Sequence, residues 1–183
     1  MLLQIAKMGH PVLRRVAAPL DEEDIFDPAT QRLIDDMIET MRDSDGIGLA
    51  APQVHVSRRI QVVELRPNPR YPQAPTFPLM VLINPVVEPL TADLIESWEG
   101  CLSVDNLRGK VARNAAVRVN YRDRHGEPRE FEFEGFESIV VQHETDHLEG
   151  KLFVERMTDL ATLSHIREWE RHWLTEDVMV TAD

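Results

Sequence analysis

Two histidines separated by one turn of a predicted helix constrain the fold of this chain more than any other feature. His143 and His147 enclose the sequence His-Glu-Thr-Asp-His, and Phe136, Ile139 and Val140 precede them at helical spacing. Because residues four positions apart project from one face of an α-helix, both imidazoles can bind a single metal ion. They share the apolar stripe of that helix, so we expect a helix that ends at the following glycine and holds a buried metal site. The alternative is an ordinary helix with two core or surface histidines.

The residues around this pair narrow the class of site. Glu144, next to the first histidine, would lie close to a water molecule on the metal, where it can accept and return a proton. In one class of metalloprotease a third histidine follows six residues after the second, but Phe153 occupies that position here. Thermolysin-type sites use a carboxylate further downstream. Glu155 and the acidic residues between 168 and 170 are candidates of that kind, and none of them stands out.

Cys101, the only cysteine of the chain, offers a third ligand from upstream. It lies in the segment Trp-Glu-Gly-Cys-Leu-Ser. One thiolate and two imidazoles make a site with three protein ligands and an open position, which a catalytic metal needs for its water. A lone cysteine is more often a small buried hydrophobic residue. Beside a His-Glu-x-x-His helix that lacks its usual third ligand, the metal-ligand interpretation is favoured.

A glycine-rich run from Gly46 to Gln53 is the third unusual segment. Its sequence, Gly-Ile-Gly-Leu-Ala-Ala-Pro-Gln, allows close backbone approach at the two glycines and ends in a polar amide. It is not a dinucleotide-binding loop, because it follows a predicted helix and lacks the last glycine of that motif. The alternative interpretation is a helix C-cap at Gly46 followed by a turn.

Together the three segments resemble the peptide deformylase family. The family motifs G-x-G-x-A-A-x-Q, E-G-C-x-S and Q-H-E-x-D-H stand here as Gly46–Gln53, Glu99–Ser103 and Gln142–His147, in the family's order and at similar spacing. The resemblance runs from Met8 to Phe153 and predicts a single catalytic domain over residues 1–183.

The chain departs from the family pattern in three places. Thr145 replaces a commonly apolar residue, and because it points away from the two histidines we expect no effect. Asp105 stands where many bacterial members have proline, and the stretch from Cys101 to Asp105 is more similar to organellar members. The segment from about Asp159 onward carries no family motif.

The resemblance implies a metal-dependent hydrolase that removes the N-formyl group from the initiator N-formylmethionine of new polypeptides and releases formate. It implies that Cys101, His143 and His147 hold one divalent metal ion, with Glu144 as general base and acid. Ferrous iron is the implied metal in the cell, with zinc, nickel or cobalt able to occupy the site, and the ligand types alone fit zinc. The alternative is another metalloamidase or metallopeptidase of the His-Glu-x-x-His type, and a non-catalytic relative is a further one.

The remaining site residues are also carried over by resemblance. The Gln53 side-chain amide and the backbone N–H of Leu102 would stabilise the developing oxyanion, and Glu99 and Arg113 would form an ion pair beneath the site. The methionine pocket and the peptide-binding edge are predicted from a further set, each member of which could equally be plain core: Gly46, Ile47, Gly48, Phe136, Ile139 and Val140.

The other segments predict an α+β fold, with short, mostly antiparallel β-sheets packed around the central metal-binding helix and with an N-terminal and a C-terminal helix. The predicted elements are a helix from Asp27-Pro28 to Gly46, strands Ile60–Leu65 and Leu79–Val87, a proline-rich loop Pro67–Pro78, a hairpin of Val117–Tyr121 with Phe131–Phe133 that has one acidic face, and a C-terminal helix over about 159–174 followed by a short tail.

Charge and hydropathy favour a soluble cytoplasmic enzyme of bacterial type. The chain has 183 residues and a net charge of -12, which disfavours a DNA-binding role. It lacks a signal-like N-terminus and any apolar run near the roughly 18 residues of a membrane span. The expected partners are nascent N-formyl-Met peptides. The segment after Leu160 has two arginines against five acidic residues, so the ribosome could be near but direct binding to it through this segment should be weak.

Overall fold

The computed structural model of the chain describes residues 1–68 and 75–174, in which helices pack on antiparallel strands. The helices are α1 (Glu22–Phe26), α2 (Pro28–Asp43), α3 (Gly135–Leu148) and α4 (Ile166–His172). The strands are β1 (Gly48–Ala50), β2 (Ile60–Leu65), β3 (Phe77–Pro89), β4 (Leu94–Cys101), β5 (Val104–Asn114), β6 (Ala116–Arg122), β7 (Pro128–Glu134) and β8 (Ser164–His165). The predicted α+β class is confirmed.

Two antiparallel sheets surround the helix that carries both histidines. One sheet has the strand order β1-β2-β3-β6-β7 and the other has the order β4-β5-β8. Helix α3 contacts β1, β2, β3, β6 and β7 of the first sheet and β5 of the second. It therefore lies between the two sheets, where an element must be apolar on several sides. Its buried residues are therefore spread around the helix. Besides apolar side chains, they include the polar Ser138, Glu144 and Asp146.

Helix α2 begins and ends close to the predicted positions, but its terminal residue differs. The Asp27 carboxylate accepts a hydrogen bond from the N–H of Ala29 at 2.7 Å, as an N-cap does. At the other end Asp45, with a φ of 51°, takes the left-handed conformation, and the N–H of Gly46 donates to the carbonyl of Met41 at 2.9 Å. The C-cap itself is Ser44, so the predicted C-cap at Gly46 lies two residues too far along the chain.

Gly46 is required for space instead. A Cβ at that position would lie 3.0 Å from Leu102 Cδ1 and 3.1 Å from the carbonyl oxygen of Met41. The absence of a side chain at Gly46 therefore lets the end of α2 approach the turn that carries Leu102.

The predicted hairpin forms as β6 and β7, with the expected separation of faces. Val119 pairs with Phe131 and Val117 with Phe133. Val117, Val119 and Phe133 are fully buried, whereas the acidic residues of β7 point to the other face and are exposed. Alternation of side chains along a strand accounts for this separation.

The C-terminal helix is shorter than predicted. Leu160–Thr162 form a 3-10 turn, Ser164–His165 form β8, and only Ile166–His172 are α-helical. The segment pairs with the edge of β5, since Leu107 lies opposite His165 and Arg108 opposite Ser164. Pairing with an open strand edge satisfies the backbone groups that a longer helix would have paired internally. The tail after residue 174 lies outside the described residues.

The proline-rich loop is also shorter than predicted. Phe77 and Pro78 belong to β3, while residues 69–74 of the loop lie outside the described part of the chain. None of the helices described is long and apolar enough to cross a membrane.

Candidate metal centre

Three potential ligands converge where β4 ends against α3. Cys101 is the last residue of β4, and His143 and His147 lie one turn apart on α3. The ligand atoms of the three side chains all lie within 4.8 Å of one another, and Cys101 Sγ is 3.3 Å from His147 Nε2. All three residues are buried. Within residues 1–68 and 75–174, no other group of three such side chains comes together in this way.

The orientation of the first histidine is fixed by a carboxylate behind it. His143 Nδ1 lies 2.7 Å from Glu99 Oε2, which leaves Nε2 as the nitrogen that can bind a metal. Arg113 holds Glu99 with two hydrogen bonds, from Nε to Oε1 at 2.7 Å and from Nη2 to Oε2 at 2.9 Å. Burial opposes ionisation of Glu99, but the hydrogen bonds from Arg113 and His143 outweigh it and lower its pKa to about 2. The predicted ion pair therefore exists, and it contacts a candidate ligand.

A second carboxylate, which sequence reasoning missed, extends this ion pair. Arg113 Nη1 donates to Asp146 Oδ2 at 2.6 Å, and Arg156 Nη2 donates to Asp146 Oδ1 at 2.5 Å. Asp146 lies three residues after His143 on α3, so Arg113 joins the histidine-bearing helix to β5. Burial opposes ionisation of Asp146, but hydrogen bonds and charge from the two arginines lower its pKa. Its place inside the family motif was the only sequence signal for it.

The surroundings of Cys101 favour its thiolate form. Burial raises the pKa of the thiol, but the positive charge and hydrogen bonding of His147 and His143 outweigh burial and bring that pKa well below its usual range. The backbone N–H of Ser103 donates to Sγ at 3.3 Å, and Gln53 Nε2 donates to it at 3.5 Å. A thiolate is the form of cysteine that binds metal ions.

Glu144 brings an unpartnered carboxylate to the same place. The residue is 5% exposed, and among the described residues its Oε2 atom has no hydrogen-bond partner. Its pKa is raised to about 7, because burial and the charges of Cys101 and Glu99 raise it by more than the two histidines lower it. Gly48 makes room for this side chain, because a Cβ there would lie 2.5 Å from Glu144 Oε1.

The two predicted oxyanion donors flank the cysteine. Gln53 lies in the 3-10 turn Ala51–Val54, and its Oε1 accepts a hydrogen bond from the N–H of Ala50 at 2.8 Å. That contact turns Nε2 toward Cys101. Leu102 lies in the turn between β4 and β5, where its carbonyl accepts a hydrogen bond from Lys7 Nζ at 2.9 Å. Lys7 also pairs with Asp105 at 2.8 Å, which gives the residue that replaces the usual proline a local partner.

A pocket opens beside these groups and contains every predicted substrate-binding residue. It encloses about 510 Å³ of space, its open mouth included. Its lining includes the predicted residues Gly46, Ile47, Gly48, Phe136, Ile139 and Val140. Ile47, Val140 and Phe136 also pack in the apolar core with Val117 and Phe133, so they serve as wall and core together. Trp98 and Gly100 of β4 also line the pocket, although neither was among the predicted substrate-binding residues.

The donor set fits a divalent metal ion. One thiolate and two imidazoles are typical ligands of zinc and of first-row transition metals, and three protein ligands leave a coordination position open. The unpartnered oxygen of Glu144 lies at the same buried place, where a water molecule beside the metal would give it a hydrogen-bond partner.

Comparison with known proteins agrees with this site. The sequence model of the polypeptide deformylase family matches residues 2–162. Peptide deformylase 2 of Bordetella bronchiseptica is 47% identical over 165 residues, which are 90% of this chain and 93% of that protein. Peptide deformylase 2 of a Nostoc species is 44% identical over 156 residues, which are 85% of this chain and 86% of that protein. The Met-Ala-Ser-bound crystal structure of a class I type b peptide deformylase from Acinetobacter baumannii superposes with a TM-score of 0.83 at 43% identity, covering 86% of this chain and 99% of that one.

Proposed function

The chain belongs to the polypeptide deformylase family, and from that premise we propose the reaction it catalyses and the role of each site residue. It is a hydrolase that removes the formyl group from the N-formylmethionine at the start of newly made polypeptides, with formate and a free N-terminus as products. The observation that carries this proposal is the buried group of Cys101, His143 and His147 beside the unpartnered carboxylate of Glu144.

The three ligands would hold one divalent metal ion through Cys101 Sγ and the Nε2 atoms of His143 and His147. When bound, such an ion supplies a Lewis acid that lowers the pKa of water and polarises a carbonyl. We propose ferrous iron as the metal in the cell, with zinc, nickel or cobalt as other occupants. Glu99 supports this arrangement from behind, because its hydrogen bond to His143 Nδ1 at 2.7 Å leaves Nε2 for the metal.

Glu144 is proposed to carry the proton. Its carboxylate is buried beside the ligand group, and Oε2 has no hydrogen-bond partner among the described residues, so it can accept a proton from a water molecule there. With a cation on the neighbouring ligands the carboxyl would ionise at lower pH and act as the base. It would take a proton from the attacking water and return it to the amine that leaves.

Gln53 and Leu102 are proposed to stabilise the negative charge that develops on the formyl oxygen. Donors that are fixed before the reaction cost no reorganisation when the charge forms, and each typically contributes about 3 kcal/mol. The Gln53 amide meets this requirement, since its contact with the N–H of Ala50 at 2.8 Å holds Nε2 on the side of Cys101.

The pocket is proposed to take the methionine side chain between Ile47 and the α3 residues Phe136, Ile139 and Val140. The peptide itself would lie along β1. This strand is the outermost of its sheet, and an extended peptide can pair with such an edge as an added strand. Gly46 and Gly48 let that peptide approach the backbone closely.

We also propose the setting in which the protein works. Residues 1–183 would form one catalytic domain that acts on nascent N-formyl-Met peptides in the cytoplasm. Direct ribosome binding through the C-terminal segment would be weak, because this acidic segment would be repelled by RNA phosphates.

Formate release tests the proposed function. Anaerobically purified protein should contain about one divalent metal ion per chain and should release formate from formyl-Met-Ala-Ser without cutting internal peptide bonds. Cleavage of internal bonds without formate release would instead indicate a metallopeptidase.

A further inference from the structure

All three tryptophans of the chain lie in one cluster beside the pocket. Trp98 is on β4 and lines the pocket. Its ring centroid is 6.2 Å from that of Trp169 and 5.8 Å from that of Trp173. Trp169 belongs to α4 and Trp173 follows it, so the contacts come from a segment beyond residue 162, where the family match ends.

This C-terminal segment is fixed to the wall of the pocket at several points. Strand β8 pairs with β5, and the guanidinium carbon of Arg108 on β5 lies 5.4 Å from the ring centroid of Trp169. Arg108 in turn crosses directly behind Gly100, where a Cβ would overlap its guanidinium group. The part of the wall formed by Trp98 and Gly100 is therefore backed by Arg108 and by the two tryptophans of the C-terminal segment.

The position of Trp98 shows which part of a substrate it can reach. Residues along a strand are about 3.4 Å apart, so Trp98, three residues before Cys101, lies roughly 10 Å from that ligand. An extended peptide advances by about the same rise. The peptide proposed to pair with β1 would also pass β4, because Gly46, Gly48 and Trp98 line the same pocket. When its formyl group lies at Cys101, the second or third residue of a peptide that runs toward Trp98 comes to that distance.

We propose that Trp98, positioned by Trp169 and Trp173, forms the subsite for the residues that follow methionine and selects apolar or aromatic side chains there. Trp98 is partly buried, with Lys110 Nζ 5.8 Å from its ring centroid. The part of this aromatic ring that faces the pocket gains most from contact with another apolar or aromatic group. This inference rests on the proposed function and adds a preference to it.

The test compares substrates that do and do not reach this subsite. The substrates are formyl-Met amide, formyl-Met-Ala-Ala and formyl-Met-Phe-Phe. The wild-type protein should prefer the Phe-Phe peptide to the Ala-Ala peptide by about tenfold in kcat/KM, the effect of partly burying two aromatic side chains.

Variants of the C-terminal segment separate a positioning role from simple packing. Trp173→Ala should lower the preference for the Phe-Phe peptide to about threefold. The change should appear in KM, with kcat altered less than twofold, and kcat/KM for formyl-Met amide should fall less than that for the Phe-Phe peptide. Trp173→Phe should restore the preference, and Glu170→Ala, an exposed change on the same helix, should behave as wild type. Trp98→Ala should abolish the preference.

Tryptophan fluorescence gives a readout without turnover, because every tryptophan of the chain is in the cluster. Titration with the product peptide Met-Phe-Phe should shift the tryptophan emission to a saturating value. Met-Ala-Ala should reach half of that shift only at about tenfold higher concentration. The proposed subsite would be overturned if the wild-type protein had equal kcat/KM for the Phe-Phe and Ala-Ala peptides. It would also be overturned if Trp173→Ala lowered kcat/KM by the same factor for all three substrates. A wild-type protein that released no formate even from formyl-Met amide would overturn the proposed function itself.

Discussion

Adding one methyl group at Gly48 should displace the Glu144 side chain without moving the proposed metal ligands. Gly48 lies in β1, and its backbone conformation is one that alanine also adopts, since its φ is not positive. A Cβ at this position would lie 2.5 Å from Glu144 Oε1, 2.7 Å from Cγ and 2.8 Å from Cδ. The whole end of the Glu144 side chain would have to move.

The size of the effect follows from these distances. Ordinary contact between such atoms is about 3.5 Å, so the carboxylate must shift by roughly 1 Å. Misplacing a catalytic group by about 1 Å can cost about 100-fold in rate, which corresponds to about 2.7 kcal/mol of activation free energy. Gly48→Ala should therefore lower kcat about 100-fold.

The assay is formate release from formyl-Met-Ala-Ser, with metal content measured on the same preparation. Metal content should stay at the wild-type value, because Cys101 and both histidines keep their positions. In a Glu144→Gln background, which should itself keep the metal and lose most turnover, Gly48→Ala should cost little more, since both changes act on one group. Retention of more than a third of wild-type kcat by Gly48→Ala, or loss of its metal, would refute this reasoning.

Three further outcomes are expected for residues in and behind the candidate metal centre. Cys101→Ser should lose metal affinity, because a neutral hydroxyl is a poorer donor than a thiolate; metal analysis showing wild-type content would return Cys101 to the core. Arg113→Met should lower the free energy of unfolding by about 3–5 kcal/mol, because it leaves the buried carboxylates of Glu99 and Asp146 without this partner. Urea unfolding measures this loss, and the control Arg118→Met, at an exposed ion pair, should cost under about 1 kcal/mol. The pKa of Glu99 in the folded protein is about 2, below its usual 4.5, so the stability it contributes is present above pH 4.5 and is lost as the pH falls toward 2. Urea unfolding between these pH values should show the free energy of unfolding falling more steeply for the wild type than for Glu99→Gln.

Local sequence patterns were sufficient for the elements that build the candidate site. The helical spacing around His143 and His147 and the glycine at 150 predicted α3, which the structure has as Gly135–Leu148. Gly150 has a φ of 70°, and a Cβ there would lie 2.8 Å from the backbone of Arg14. The helical spacing and the glycine that ends the helix both depend only on residues close together in the sequence. They can therefore be recognised from one sequence alone.

Contacts between distant segments could not be predicted in the same way. The pairing of Asp146 with Arg113 and the cluster around Trp98 join residues far apart in the sequence, and no periodicity records such contacts. The predicted C-terminal helix was too long for a related reason. The edge of β5 was available to pair with Ser164 and His165, and this tertiary contact replaced the first part of the helix.

The central claim is that the group of Cys101, His143, His147 and Glu144 hydrolyses a formyl amide. The most direct measurement is kcat/KM for formyl-Met-Ala-Ser against acetyl-Met-Ala-Ser on the metal-containing protein. The formyl carbon carries only hydrogen and fits against the ligand cluster, whereas the extra methyl of the acetyl group would have to enter the space beside Gln53. We expect the formyl peptide to be cleaved at least about 100-fold better, a difference of about 2.7 kcal/mol. Comparable values for the two peptides would contradict the account.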